Sequence, residues 1–198
     1  MNFLAHLHIA QACQSSLLGN LLGDFVKGNP MRQFPLEIAQ GIQLHRFVDS
    51  YTDSHPIMRQ AKMHFPNGQR RFAGIALDVM WDHYLASQWR NYHSSQLDEF
   101  CLYAERTVCH EQTMPVPERF LLMTKRMWQA RWLESYQHLD NIELVLMRMS
   151  ERSSRMAPLA ECFTPLKQNY AELGQLFNEF YPELLNVSRE FCVNSGNE

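Results

Sequence analysis

Apolar residues recur at helical spacing through most of the chain, and strand-like alternation of apolar and polar positions is nearly absent. Turn signals at Gly28-Asn29-Pro30, Phe34-Pro35, His55-Pro56, Pro66-Asn67-Gly68, Pro115-Val116-Pro117, Pro158 and Pro165 divide that pattern. The segments between them predict helices over roughly 3–13, 15–27, 35–53, 55–65, 69–91, 95–112, 117–129, 131–150, 153–160 and 165–192, the last bent at Pro182. Ser15 or Ser16 is placed to cap the second. No repeat, low-complexity tract or long linker interrupts the sequence. The expected fold is all-α: a single domain over residues 1–198, a helical bundle with short connections and a frayed tail at 194–198.

Composition narrows the function classes. The 198 residues suffice for one well-packed core, and 45% hydrophobic with 20% charged residues is ordinary for a soluble globular chain. A net charge of -3 gives no support to wholesale binding of nucleic acid or of an acidic membrane. The five cysteines are scattered and form no CxxC pair, so a reducing cytoplasm is expected rather than a disulfide framework. The first residues, Met1 to His6, lack the basic and apolar regions of a secretory leader, and no apolar run approaches the roughly 20 residues that span a bilayer.

Against this background some polar residues look out of place. In Leu77-Asp78-Val79-Met80-Trp81-Asp82-His83-Tyr84-Leu85, Asp78 and Asp82 lie one helical turn apart among large apolar neighbours. Two such carboxylates call for positive charge nearby, from a metal ion or an arginine. Asp82 and His83 could flank one ion, with Asp78 bridging or supporting. His45, Asp49 and Asp53 form a second ridge at i, i+4, i+8. There His45 and Asp49 could hold a metal together, Asp49 could orient His45, or the two could pair on a solvated face. Asn20 and Asp24 are again one turn apart, in a run whose glycines permit close helix packing and bring Asp24 toward its neighbours. Between His6 and His8, His6 is expected to face inward. Oxygen and imidazole donors without thiolate suit Mn²⁺, Mg²⁺ or Fe²⁺ rather than structural zinc. No P-loop, GxSxG elbow or HExxH motif is present, which leaves metal-assisted phosphoester hydrolysis the most open reaction class.

Four blocks, Met1-Asn2-Phe3-Leu4-Ala5-His6-Leu7-His8, Gly19-Asn20-Leu21-Leu22-Gly23-Asp24-Phe25-Val26, Gly41-Ile42-Gln43-Leu44-His45-Arg46 and the Leu77–Leu85 stretch, resemble the acyl carrier protein phosphodiesterase family in order and position. The resemblance covers essentially the whole chain. It implies a cytoplasmic, Mn²⁺-dependent hydrolase related to the HD-domain phosphohydrolases. Such an enzyme cleaves the phosphodiester between 4′-phosphopantetheine and a serine of holo-acyl carrier protein, giving the apo-protein of fatty acid biosynthesis. On it, His6, Asp24, His45, Asp82 and His83 become the expected metal ligands, with Asn20 and Asp49 supporting them. Asp24, His45, Arg46 and Asp78 become the expected catalytic groups, Arg46 as a phosphate clamp. Carrier proteins are acidic, so the resemblance also implies a basic docking surface. Arg148, Arg152 and Arg155 would form one stripe if their helix continues through Ser153. Neither nucleic acid nor membrane is expected as a partner. Two other readings stand beside this one: an HD-type hydrolase of a nucleotide or other small phosphoester, and a non-catalytic helical binding module whose acids and histidines form only structural ion pairs.

Overall fold

Two helices with almost no polar face lie at the centre of the molecule: α1 (Phe3–Ala12) and α5 (Ala73–Ser87). Every residue of α1 from Leu4 to Ala10 is buried, as is every residue of α5 from Val79 to Ala86. Helices that are apolar all round belong in an interior. The computed structural model describes residues 1–195; residues 196–198, the end of the tail expected to fray, lie outside the description. Around the central pair stand α2 (Leu17–Leu22), α3 (Leu36–Ser54), α4 (Pro56–Met63), α6 (Leu97–Glu111), α7 (Glu118–Gln129), α8 (Trp132–Ser135), α9 (Leu139–Ser150), α10 (Phe163–Gln168) and α11 (Tyr170–Ser195). Short 3-10 helices span Pro30–Arg32, Trp89–Asn91 and Ser154–Cys162, and no strand occurs among the described residues. The all-α expectation is met.

Two junctions position the chemistry. The first is the crossing of α2 and α3. A Cβ on Gly19 would lie 2.4 Å from the Ile38 carbonyl oxygen and 2.9 Å from the Gly41 Cα, so at this point backbone meets backbone. That approach brings the end of α2 onto the middle of α3, as the glycines of the second helix suggest. The start of α2 is fixed twice. Ser16 Oγ accepts from the Gly19 N–H, and the Glu111 carboxylate, at the end of α6, accepts from the Ser16 hydroxyl and the Leu18 N–H at 2.6 and 2.9 Å. The second junction is the start of α1 against α5, described below.

Several predicted helices are shorter or divided. The one expected over 15–27 ends at Leu22, whose carbonyl takes both the Phe25 and Val26 N–H groups, and Arg46 binds the Val26 and Gly28 carbonyls beyond it at 2.7 and 2.8 Å. Residues 131–150 break at 136–138, where the Tyr136 carbonyl turns toward His83. The helix expected over 165–192 is two helices that meet at Asn169, whose side chain bonds the Pro165 carbonyl and His64. Beyond it α11 runs unbroken through Pro182. Helix α9 stops at Ser150 and Ser153 is extended, so Arg148, Arg152 and Arg155 do not share one helical stripe, although all three are exposed.

Candidate metal centre

His6 from α1 and His45 from α3 stack face to face, with ring centroids 3.9 Å apart and planes 18° from parallel. Asp49, one turn beyond His45, spans both. Its Oδ1 lies 3.1 Å from His6 Nε2 and its Oδ2 lies 3.0 Å from His45 Nε2. Asp24, just past the end of α2, brings Oδ1 to 3.4 Å from the same His45 nitrogen. The donor atoms of His6, His45 and Asp49 all lie within 4.8 Å of one another. The imidazoles are buried, while the Asp24 side chain is 59% exposed at the rim. Beside them opens a cleft of about 210 Å³, lined in part by Asp24, Asp49, Asp53, Asp78 and Met149.

Local packing explains why His45 stands there. A Cβ on Gly23 would lie 2.1 Å from His45 Cγ and Cδ2, so the imidazole occupies the space of the missing side chain. The loop that carries Asp24 is held from two sides. Arg46 binds the carbonyls of Val26 and Gly28, and Arg119 donates to the Asp24 carbonyl at 3.1 Å while its guanidinium lies over the Phe25 ring.

The charges are strongly interdependent. Burial works against a charged His45, but Asp24 and Asp49 outweigh it and raise its pKa to about 9. Burial and the neighbouring His45 lower His6 to about 4 in spite of Asp49. Burial would raise Asp49, yet His45 and His6 hold it far below the usual carboxylate range. His45 likewise lowers Asp24. Without an ion, Asp24 and Asp49 thus favour the protonated form of His45.

That arrangement suits a divalent cation. His45 Nε2 is buried with two carboxylate oxygens at 3.0 and 3.4 Å, yet neither is aligned with it as a hydrogen-bond partner. Adjacent donors on a six-coordinate ion with bonds of about 2.1 Å stand about 3 Å apart. Nitrogen and oxygen donors without thiolate match Mn²⁺, Mg²⁺ or Fe²⁺.

Of the residues expected from sequence, the structure brings His6, Asp24, His45 and Asp49 together and sets Asp78 on the cleft wall. It does not bring in Asp82 or His83. Asp82 is fully buried, and its two oxygens accept from the Leu4 and Ala5 N–H groups at 2.8 and 3.0 Å. Asp78 meets the Met1 amino group at 2.9 Å. The positive partner that these two acids require is therefore neither a metal nor an arginine but the start of α1. Both His83 nitrogens are occupied, Nδ1 by the Tyr136 carbonyl at 2.8 Å and Nε2 by the Tyr170 hydroxyl at 2.9 Å. Asn20 points back to Ser15 and the Ser16 carbonyl rather than to Asp24. Arg46 is committed to backbone carbonyls rather than free to clamp a phosphate. His8 is as buried as His6 but lies apart, between the Tyr181 hydroxyl and the Tyr92 carbonyl. The sequence suggests Asp49 as a support, and the structure sets it beside both imidazoles, a proximity to His45 that the i+4 spacing signals. The Met1 amino group, 3.5 Å from Asp49, had no such signal.

A family model described as acyl carrier protein phosphodiesterase matches residues 1–184. Among curated relatives, the acyl carrier protein phosphodiesterase of Klebsiella pneumoniae (strain 342) is 42% identical over 193 residues, covering 95% of this chain and 97% of its own. That of Yersinia pestis is 43% identical over 191 residues, covering 96% and 98%. That of Escherichia coli O6:K15:H31 is 42% identical over 190 residues, covering 93% and 96%. No solved structure matches the chain.

Proposed function

The chain belongs to the acyl carrier protein phosphodiesterase family, and from that premise we propose that it hydrolyses the phosphodiester joining 4′-phosphopantetheine to the carrier-protein serine, with a divalent cation held by His6, His45, Asp49 and Asp24. The observation that carries the metal assignment is the buried His45 Nε2 set between two carboxylates with no aligned hydrogen bond to either.

When bound, such an ion stabilises charge on the phosphoryl oxygens and lowers the pKa of an attacking water. The residues around it divide the remaining tasks. Asp49 ties the two imidazoles to one plane of approach and fixes where the donors point. Asp24 is ionised and faces solvent at the rim, which suits it to accept a proton from incoming water. Asp78 lines the cleft and holds the Met1 amino group at 2.9 Å, which fixes the wall beside the ion. The cleft is small, so the phosphodiester arm enters while the folded carrier stays outside. Met149 lines that cleft and Arg148, Arg152 and Arg155 are exposed nearby in the chain, which supports reading that basic group as the docking surface for an acidic carrier.

The test uses His45→Ala and Asp49→Asn. We expect Mn²⁺ affinity and release of phosphopantetheine from holo-carrier protein to fall together by at least about 100-fold, with the helical circular dichroism unchanged. Folded variants that keep parental affinity and turnover would remove these residues from the centre. Turnover of a small phosphodiester but not of holo-carrier protein by the parent would instead favour a small-molecule hydrolase. Parental protein that holds no metal and hydrolyses neither substrate would favour the binding-module reading.

A further inference from the structure

We propose that Asp82 is a positioning residue for the metal centre: its carboxylate fastens the first turn of α1 and thereby sets His6 against Asp49 and His45. The inference rests on reading that centre as a metal site.

Helix α1 begins without a cap of its own. The first N–H groups of any helix have no partner inside it. Asn2 occupies the capping position, but its side chain makes no capping bond and donates instead to the Tyr136 hydroxyl at 3.1 Å. The missing acceptor arrives from the middle of α5. Asp82 Oδ2 accepts from Leu4 N–H and Oδ1 from Ala5 N–H, so both oxygens are turned on the α1 backbone. Burial raises the Asp82 pKa to about 7, and the Leu4 and Ala5 N–H groups, at the positive end of the helix dipole, act against that rise. One turn earlier on α5, Asp78 holds the Met1 amino group. The start of α1 is thus gripped at two levels by one face of one helix.

His6 belongs to the same turn. Its N–H donates to the Asn2 carbonyl at 3.2 Å, directly after the two N–H groups that Asp82 holds. Its ring has one polar contact, Asp49, and otherwise lies flat on His45. The stack on His45 and the bond to Asp49 orient the ring, and the placement of the α1 backbone sets the height from which it reaches them. Partners that orient a metal ligand without touching the metal are commonly worth 10- to 100-fold in affinity.

The test compares Asp82→Ala, Asp82→Asn and His45→Ala. Two quantities are read: amide hydrogen exchange at Leu4 and Ala5 in metal-free protein, and the Mn²⁺ dissociation constant. Asp82→Ala is expected to speed exchange at both amides about 10-fold or more relative to Ile9 and Ala10, and to weaken Mn²⁺ about 10- to 100-fold. Asp82→Asn keeps one acceptor oxygen. It should fold even if the alanine variant does not, protect one of the two amides, and bind Mn²⁺ within a few-fold of the parent. Unchanged exchange at Leu4 and Ala5 in the variants overturns the proposal, as does parental Mn²⁺ affinity in Asp82→Ala. Loss of Mn²⁺ in Asp82→Asn as complete as in His45→Ala, with the two amides still protected, overturns it in favour of a direct ligand role. His45→Ala with parental affinity overturns the metal reading itself, which the exchange data do not depend on.

Discussion

Gly23→Ala separates the stability of the fold from the geometry of the site. Gly23 has φ -50° and ψ -43°, an ordinary helical conformation, so alanine brings no backbone strain. By intrinsic preference alone it would stabilise the protein by about 0.4–1 kcal/mol. Its Cβ, however, would lie 2.1 Å from His45 Cγ and Cδ2 and 2.7 Å from His45 Cβ. Carbon atoms in comfortable contact stand about 3.5–4.0 Å apart, so from 2.1 Å the ring must retreat by about 1.4 Å or more. Because His45 Cβ is also too close, rotation of the ring alone does not relieve the overlap, and α3 or the Asp24 loop must give way as well. Overpacking of this kind costs about 1–3 kcal/mol, leaving a net destabilisation of about 0–2.6 kcal/mol. A misplacement of 1 Å or more in a reacting constellation can cost about 100-fold in rate. The expected result is a folded variant with a small loss of melting temperature but at least about 100-fold weaker Mn²⁺ binding and phosphodiesterase turnover. Both are measured on the same preparation by calorimetric titration and by phosphopantetheine release. Parental affinity and rate in Gly23→Ala would show that His45 does not work from the position described here.

Four further outcomes are expected. Arg46→Ala should lower the melting temperature and weaken Mn²⁺ by freeing the Val26–Gly28 carbonyls and the Asp24 loop; a rise in KM alone, at parental stability, would point to a phosphate clamp instead. In metal-free protein, the His45 pKa raised to about 9 gives a stabilisation fully present below the unfolded value of 6.5 and lost as pH climbs through 9, with the Met1 amino group, raised to about 10, adding to the loss above pH 8. An ion that takes His45 Nε2 competes with its proton, so the gain in melting temperature from Mn²⁺ should grow across pH 6.5–9, and a flat profile would refute the proposed ligand role. Reversing Arg148 and Arg152 to glutamate should lower kcat/KM for holo-carrier protein and flatten its salt dependence while sparing a small phosphodiester; unchanged values would move the docking surface elsewhere.

Much of this arrangement was legible in the sequence. Helical periodicity located nearly every helix, the glycines of α2 announced its close packing, and the i, i+4 pair of His45 and Asp49 marked the core of the centre. What spacing does not carry is the identity of a distant partner. Asp82 and His83 have the chemistry of ligands, but the groups they meet are mostly backbone: two N–H groups of α1 and the Tyr136 carbonyl. Backbone is the same at every position, so the sequence does not advertise it. Arg46 was misread for the same reason, since its acceptors are carbonyls. The breaks at 136–138 and Asn169 were hidden as well, because each follows from a tertiary contact rather than from a local breaker.

The caps of α1 and α2 carry a consequence for the timing of assembly. Every proposed ligand lies between residues 6 and 49, and all of them leave the ribosome early. Their scaffolding comes later: the acceptor for the first turn of α1 is residue 82, and that for the start of α2 is residue 111. Until those carboxylates emerge, the nascent chain holds the donors without the frame that spaces them. The proposed donors thus reach their fixed separation only once α5 and α6 have been made, when the two imidazoles and Asp49 are framed together.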